Sequence, residues 1–220
     1  MADLIALFPL GTVLLPGAPL PLHVFEPRYR RLVADLLELP AAERHFGVIA
    51  IKAGREVGAD GVRALYEIGC LAQVATTHPG DDGTYELETI GTRRFRLLDL
   101  DEGLPYLRAG VEWLPELPGD AAALVPIVQQ QYTRYRAQLA ALRGATIDTP
   151  ELPDDPRLLS YVVAATVLAD LGDRQGFLEQ YDAAARLAAE SRWLHREASL
   201  LRLTRAVPAD RMLDIRFSTS

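Results

Sequence analysis

Lys52 is the only lysine in this 220-residue chain, and Cys70 is the only cysteine. A reaction that needs a lysine nucleophile or a thiolate must therefore run through one of those two positions. A lone cysteine closes no intramolecular disulfide and builds no thiolate metal cluster; a reducing compartment fits it. The four histidines, His23, His45, His78 and His195, are not at metal-ligand spacing. None of them stands beside the cysteine or a serine elbow. The adjacent acids Asp81-Asp82 and Asp101-Glu102 fall in turn-like segments, where solvation is their usual role. Carboxylate pairs for glycoside chemistry need opposed strands, and nothing singles out such a pair. The residues point to no catalytic group, no metal and no cofactor.

The charge balance narrows the partners. Net charge is −7 and the pI is about 5.2, so polyphosphate is repelled at long range and nucleic acid starts as an unfavoured partner. The basic residues are nearly all arginine, a skew that fits a GC-rich genome. Met1-Ala2-Asp3-Leu4 carries an acid where a secretory signal has basic residues. The strongly apolar stretch Tyr161 to Ala169 is far shorter than the ~20 residues that cross a bilayer. The expectation is a cytoplasmic protein.

Two periods divide the chain. Leu4 to Leu10 and Phe46 to Ile51 are short apolar runs of the buried-strand kind. Ile68 to Val74 alternates, breaks at Pro79-Gly80-Asp81-Asp82-Gly83, and resumes at Tyr85 and Leu87, the pattern of a hairpin. Gly91 is read as separating that strand from Arg93 to Leu100, with another strand over Leu107 to Trp113. Pro27 opens a helix with Tyr29, Leu32, Val33, Leu36 and Leu37 on one face, stopped by Pro40. The expectation is a small, mostly antiparallel β barrel with a lid helix. After the link LPELPGD the period becomes helical: a helix capped by Asp120 and closed by Gly144, and a central buried helix from Asp155-Pro156 to Gly172. A short helix capped by Asp173 and a long last one capped by Asp182 follow. The fold class is α+β, with a barrel in residues 1–118 and a helical bundle in 119–220. On the last helix Leu187, Leu194 and Leu201 form a seam, read as bundle core, with a homodimer as the alternative.

Three stretches carry a family resemblance. They are LFPLGTVLLPGAPLPLHVFEPRYRRLV (Leu7 to Val33), YEIGCLAQV with DGTYELETIGTRRFRLL (Tyr66 to Leu98), and, less specifically, LADLGDRQGFLEQYDAAARL. Together they resemble the amino-terminal, substrate-binding part of Lon proteases. The resemblance implies a PUA-like barrel packed with a helical bundle, in a bacterial protein that helps capture unfolded or damaged polypeptides and performs no chemistry. The sequence has no G-x-x-x-x-G-K-[ST] phosphate loop, and a Ser–Lys protease dyad would need Lys52 beside one of the few serines. The expected function is recognition without cleavage, with a separate protease as a collaborator.

Candidate sites follow from the same stretches. Leu14, Leu15, Pro16 and Leu20 lie between two turns; core is the usual role of such residues, and an exposed polypeptide-binding groove is the alternative that makes them candidate binding residues. Glu26, Arg28, Arg93 and Arg94 are the candidates for a structural ion pair tying the lid helix to the barrel, or for a partner-contacting rim. A rival reading is RNA binding, since PUA-type barrels elsewhere contact RNA; Arg28, Arg30, Arg31, Arg93, Arg94 and Arg96 would supply its basic face.

Overall fold

The computed structural model describes residues 3–54, 62–144 and 150–206. Seven strands come first, interrupted by one helix: β1 (Asp3–Leu10), β2 (Pro19–Val24), α1 (Pro27–Leu37), β3 (His45–Gly54), β4 (Val62–Leu65), β5 (Ile68–Pro79), β6 (Tyr85–Asp101) and β7 (Arg108–Trp113). Four helices follow: α2 (Leu124–Arg143), α3 (Pro156–Thr166), α4 (Leu171–Leu178) and α5 (Ala183–Ala206). The chain forms two units, Met1–Leu117 with Ala164–Tyr181, and Pro118–Val163 with the chain from Asp182 on.

In the first unit, β1, β7, β6, β5 and β3 are paired antiparallel in that order, and a parallel β1–β3 pairing closes the ring. Closure leaves these five strands no open edge. Alternation along β1 sends Ile5 and Leu7 to one buried cluster, with Ile49, Phe95, Ala109 and Val111. It sends Phe8 and Leu10 to another, with Phe46, Val48, Cys70 and Leu87. Helix α1 has Pro27 in its first turn, where no amide donor is needed. Its stripe of Tyr29, Leu32, Val33 and Leu36 is buried on the second cluster, and the Tyr29 ring stacks on Phe8 at 3.9 Å. Each such side chain contributes roughly 1.5–3 kcal/mol by leaving water. This is the expected barrel with its lid helix.

Several details depart from the sequence expectation. Gly91 does not end a strand; β6 runs through it for 17 residues. A Cβ there would stand 2.2 Å from the Leu15 carbonyl oxygen, so glycine is what lets the 14–18 segment lie against β6. Gly17 N donates to Gly91 O and Gly91 N to Ala18 O. Strand β2 was hidden by Pro19 and Pro21, which remove ladder donors; it attaches to β6 outside the ring, where that loss is tolerated. β4 is a four-residue strand on β3. Residues Ala164–Tyr181, read as part of the helical half, are bonded into the first unit instead: Gln175 Nε2 donates to Ile68 O at 3.0 Å, and Arg94 reaches Leu178 O and Gln180 O.

In the second unit α2 and α5 pack side by side, with Tyr135 meeting Trp193 edge to face at 5.6 Å. Val128, Tyr132 and Leu139 are buried on α2, and Leu187 and Leu194 on α5. Asp182 caps α5, its Oδ1 accepting from Ala185 N at 2.7 Å. Asp120 does not cap α2: a turn at Ala121–Ala123 comes first, and Pro126 sits in the first helical turn, where it costs no bond. α2 ends at Gly144 in the left-handed conformation. α3 stops at Thr166 rather than Gly172, because Asp170 takes the amide of Asp173 at 2.8 Å and starts α4. Nor is the central helical segment buried all round: Leu158 is 59% and Leu168 54% exposed.

Candidate functional site

Strand β6 carries an irregularity that makes a surface feature. Leu97 pairs with Val111, Asp99 with Gly110 and Leu100 with Ala109, so Leu98 is an extra residue. Such a bulge shifts the alternation by one. Leu97 and Leu100, three apart in sequence, therefore share the face of Val111 and Ala109, and Leu98 is left 52% exposed. The loop that follows is pinned. Gly103 N donates to Asp101 Oδ1 at 2.8 Å, Arg108 pairs with Asp101, and Tyr106 Oη donates to Asp35 Oδ2 of α1 at 2.8 Å. The Gly103 amide and then the Arg108 guanidinium hold the Asp101 carboxyl below its ordinary range.

Between this loop, the start of α1 and β4 lies a cleft of about 540 Å³. Its lining residues are mostly of apolar type, Leu65 from β4, Leu97 and Leu100 from β6, Leu104, Pro105, Tyr106 and Leu107 from the loop, and Tyr29 from α1, but the surface the cleft presents is more polar than apolar. Leu65, Leu97 and Leu107 also pack on the Phe95 cluster, while Tyr29 and Tyr106 belong to the Phe8 cluster. The cleft thus opens where both cores reach the surface. Leu100 and Leu104 remain 45% and 38% exposed in it. Its charged groups are Glu102, which is exposed, and Arg28, which pairs with Glu26 at 3.0 Å and lies over the Tyr29 ring. A concave site whose leucines are set among polar groups can take an apolar side chain.

Of the binding and ion-pair candidates read from the sequence, only Arg28 lines this cleft. Leu14, Leu15 and Pro16 are buried and Leu20 is half-buried, so the run between the two turns is core and not an exposed groove. Glu26 pairs with Arg28 in the same turn, not with the β6 arginines. Arg94 is fully buried, its Nε donating to Glu116 at 2.7 Å; Arg93 lies over the Trp113 ring at 4.8 Å. The cleft leucines were missed because a bulge set by pairing with β7 decides which of them face outward. The available signal was LLDLDEGLPYL, where Leu97, Leu100, Leu104 and Leu107 recur at helical spacing although Gly103 and Pro105 disfavour a helix.

Four of the six arginines proposed as one basic face are paired with acids: Arg28 with Glu26, Arg31 with Asp35 at 2.8 Å, Arg94 with Glu116 and Arg96 with Glu112 at 3.0 Å. That arrangement does not favour RNA. Cys70 is buried, and burial pushes its thiol up to about 12, far from thiolate chemistry. The Lys52 ammonium lies over the Tyr66 ring at 5.8 Å. Among the described residues no group of three His, Cys, Asp or Glu side chains is placed to hold a metal, and no helix is long and apolar enough to cross a membrane.

A PUA-like barrel with a lid helix and a leucine-lined cleft describes a binding domain in form. Residues 5–196 match the ATP-dependent protease La (LON) substrate-binding domain, and the chain belongs to that family. It is 27% identical over 210 residues to the Lon protease of Phenylobacterium zucineum, covering 92% of this chain and 26% of that protein. It is 29% identical over 224 residues to Lon protease 2 of Sorangium cellulosum, covering 94% and 26%. The chain spans about a quarter of the length of the curated relatives it matches. Among solved structures, a Lon N-terminal domain protein from Xanthomonas campestris superposes with a TM-score of 0.62 at 25% identity, covering 87% of this chain and 98% of that one. The N-terminal domain of the Mycobacterium avium complex Lon protease shares the fold, with a TM-score of 0.60 at 15% identity, covering 90% and 98%.

Proposed function

We propose that this chain is a non-catalytic polypeptide-recognition domain that binds apolar segments of unfolded or damaged proteins in the cytoplasm and works with a separate protease. The observation that carries this reading is the cleft around Leu100 and Leu104, whose leucines are open to solvent and continuous with the core. Unfolded chains expose the side chains that folded ones bury, so a site that takes isolated leucine or aromatic groups discriminates between the two states. Membership of a substrate-binding family supports the same reading. Binding is by side-chain insertion rather than by strand addition at β2, where Pro19 and Pro21 have removed amide donors.

The test is cross-linking to one client offered both chemically denatured and folded. Capture of the denatured form alone is the expected result. Equal, negligible capture of both forms removes the proposal. Peptidase and ATPase assays on the same material are expected to be silent.

A further inference from the structure

A second cleft, of about 390 Å³, shares Leu65 with the first. Beyond Leu65 its lining is richer in charge, with Lys52, Tyr66, Glu67, Arg96 and Glu179. β3 sets Lys52 beside the residue after Leu65: Tyr66 N donates to Ala50 O at 3.0 Å, and Lys52 Nζ stands 5.8 Å from the centre of the Tyr66 ring. Two of the four charges are already engaged. Arg96 is paired with Glu112, and Glu179 Oε1 accepts from Gln175 Nε2 at 2.9 Å. Lys52 is exposed and has neither an ion pair nor a hydrogen bond among the described residues. Glu67 is exposed too, but it follows Tyr66, one position further from Leu65.

In an extended chain, residues two apart share a face and lie about 7 Å from each other. We propose that a polypeptide whose apolar side chain fills the Leu104 cleft crosses Leu65 and lays the side chain two positions away beside Lys52. The preferred ligand is then an apolar anchor with an acidic residue two positions off. This inference rests on the polypeptide-binding reading and adds a charge rule to it. The contribution is that of an exposed ion pair, small and sensitive to salt.

The experiment compares three short unstructured fluorescent peptides with one phenylalanine anchor each, carrying Asp, Ala or Lys two positions to either side. Anisotropy titration at low salt is expected to give roughly threefold tighter binding for the Asp peptide than for the Lys peptide. Lys52→Glu should reverse that order, moderate salt should erase it, and Leu104→Asp should weaken all three. Equal affinities, or tighter binding of the Lys peptide by the unaltered protein, overturn the charge rule while leaving apolar recognition intact. Silence of all three peptides overturns both.

Discussion

The guanidinium of Arg94, fully buried on β6, donates through Nη1 to the carbonyl oxygen of Leu178, 2.8 Å away and 84 residues later in the chain. The same side chain bonds Glu116 Oε1 through Nε and reaches Pro115 O and Gln180 O. A planar fork of donors bonds four acceptors around it, so the end of α4 is joined to the barrel by one residue.

Removing that fork leaves the partly buried Glu116 carboxylate and several carbonyls without their donor. Arg94→Ala is expected to lower stability by roughly 3–5 kcal/mol. Arg94→Lys keeps the charge but not the fork, and should fall between the two. Urea unfolding of the three proteins measures this; a loss within error for Arg94→Ala would show that the bonds contribute nothing net.

Gly91→Ala tests the close approach of Leu15 to β6. A Cβ 2.2 Å from a backbone oxygen forces the 14–18 segment outward. The expected cost is roughly 1–3 kcal/mol, in the range of overpacked cores. Thermal unfolding indistinguishable from the parent would mean that the segment yields freely.

How much of this was readable from residues alone depends on whether the signal was local. The lid helix was legible because Pro27 and a stripe at helical spacing define it without tertiary help. Gly91 was misread because a glycine that ends a strand and a glycine that admits another backbone look the same in sequence. The cleft was illegible for a related reason. Whether Leu98 or Leu97 faces outward depends on a bulge set by pairing with β7, and that pairing is long-range. Leu14 and Leu15 were open to both readings, core or groove, because a run between turns carries no sign of what will cover it.

Glu190 predicts a pH dependence. It is completely buried on α5, and neither carboxylate oxygen has a hydrogen-bond partner among the described residues. Burial pushes its carboxyl well above the ordinary 4.5, against the pull of the Arg186 guanidinium. Arg186 itself donates to Ser160 Oγ at 2.9 Å and lies over the Tyr161 ring. The folded chain thus keeps a proton that the unfolded chain releases. This contribution to stability is full below pH 4.5 and drains away as pH rises toward the folded value. Glu190→Gln removes the titration while keeping the shape. The variant should therefore gain on the parent as pH rises, by at most about 1.4 kcal/mol per pH unit. Parallel stability profiles at acidic and alkaline pH would contradict the account.

The most direct test of recognition through the cleft is a calorimetric titration of one permanently unfolded client into the parent protein and into Leu104→Asp. A charge at a half-exposed loop position is compatible with folding, and circular dichroism verifies that. Saturable binding by the parent, lost or greatly weakened in the variant, is the predicted result. Undiminished affinity in a folded Leu104→Asp protein would contradict it.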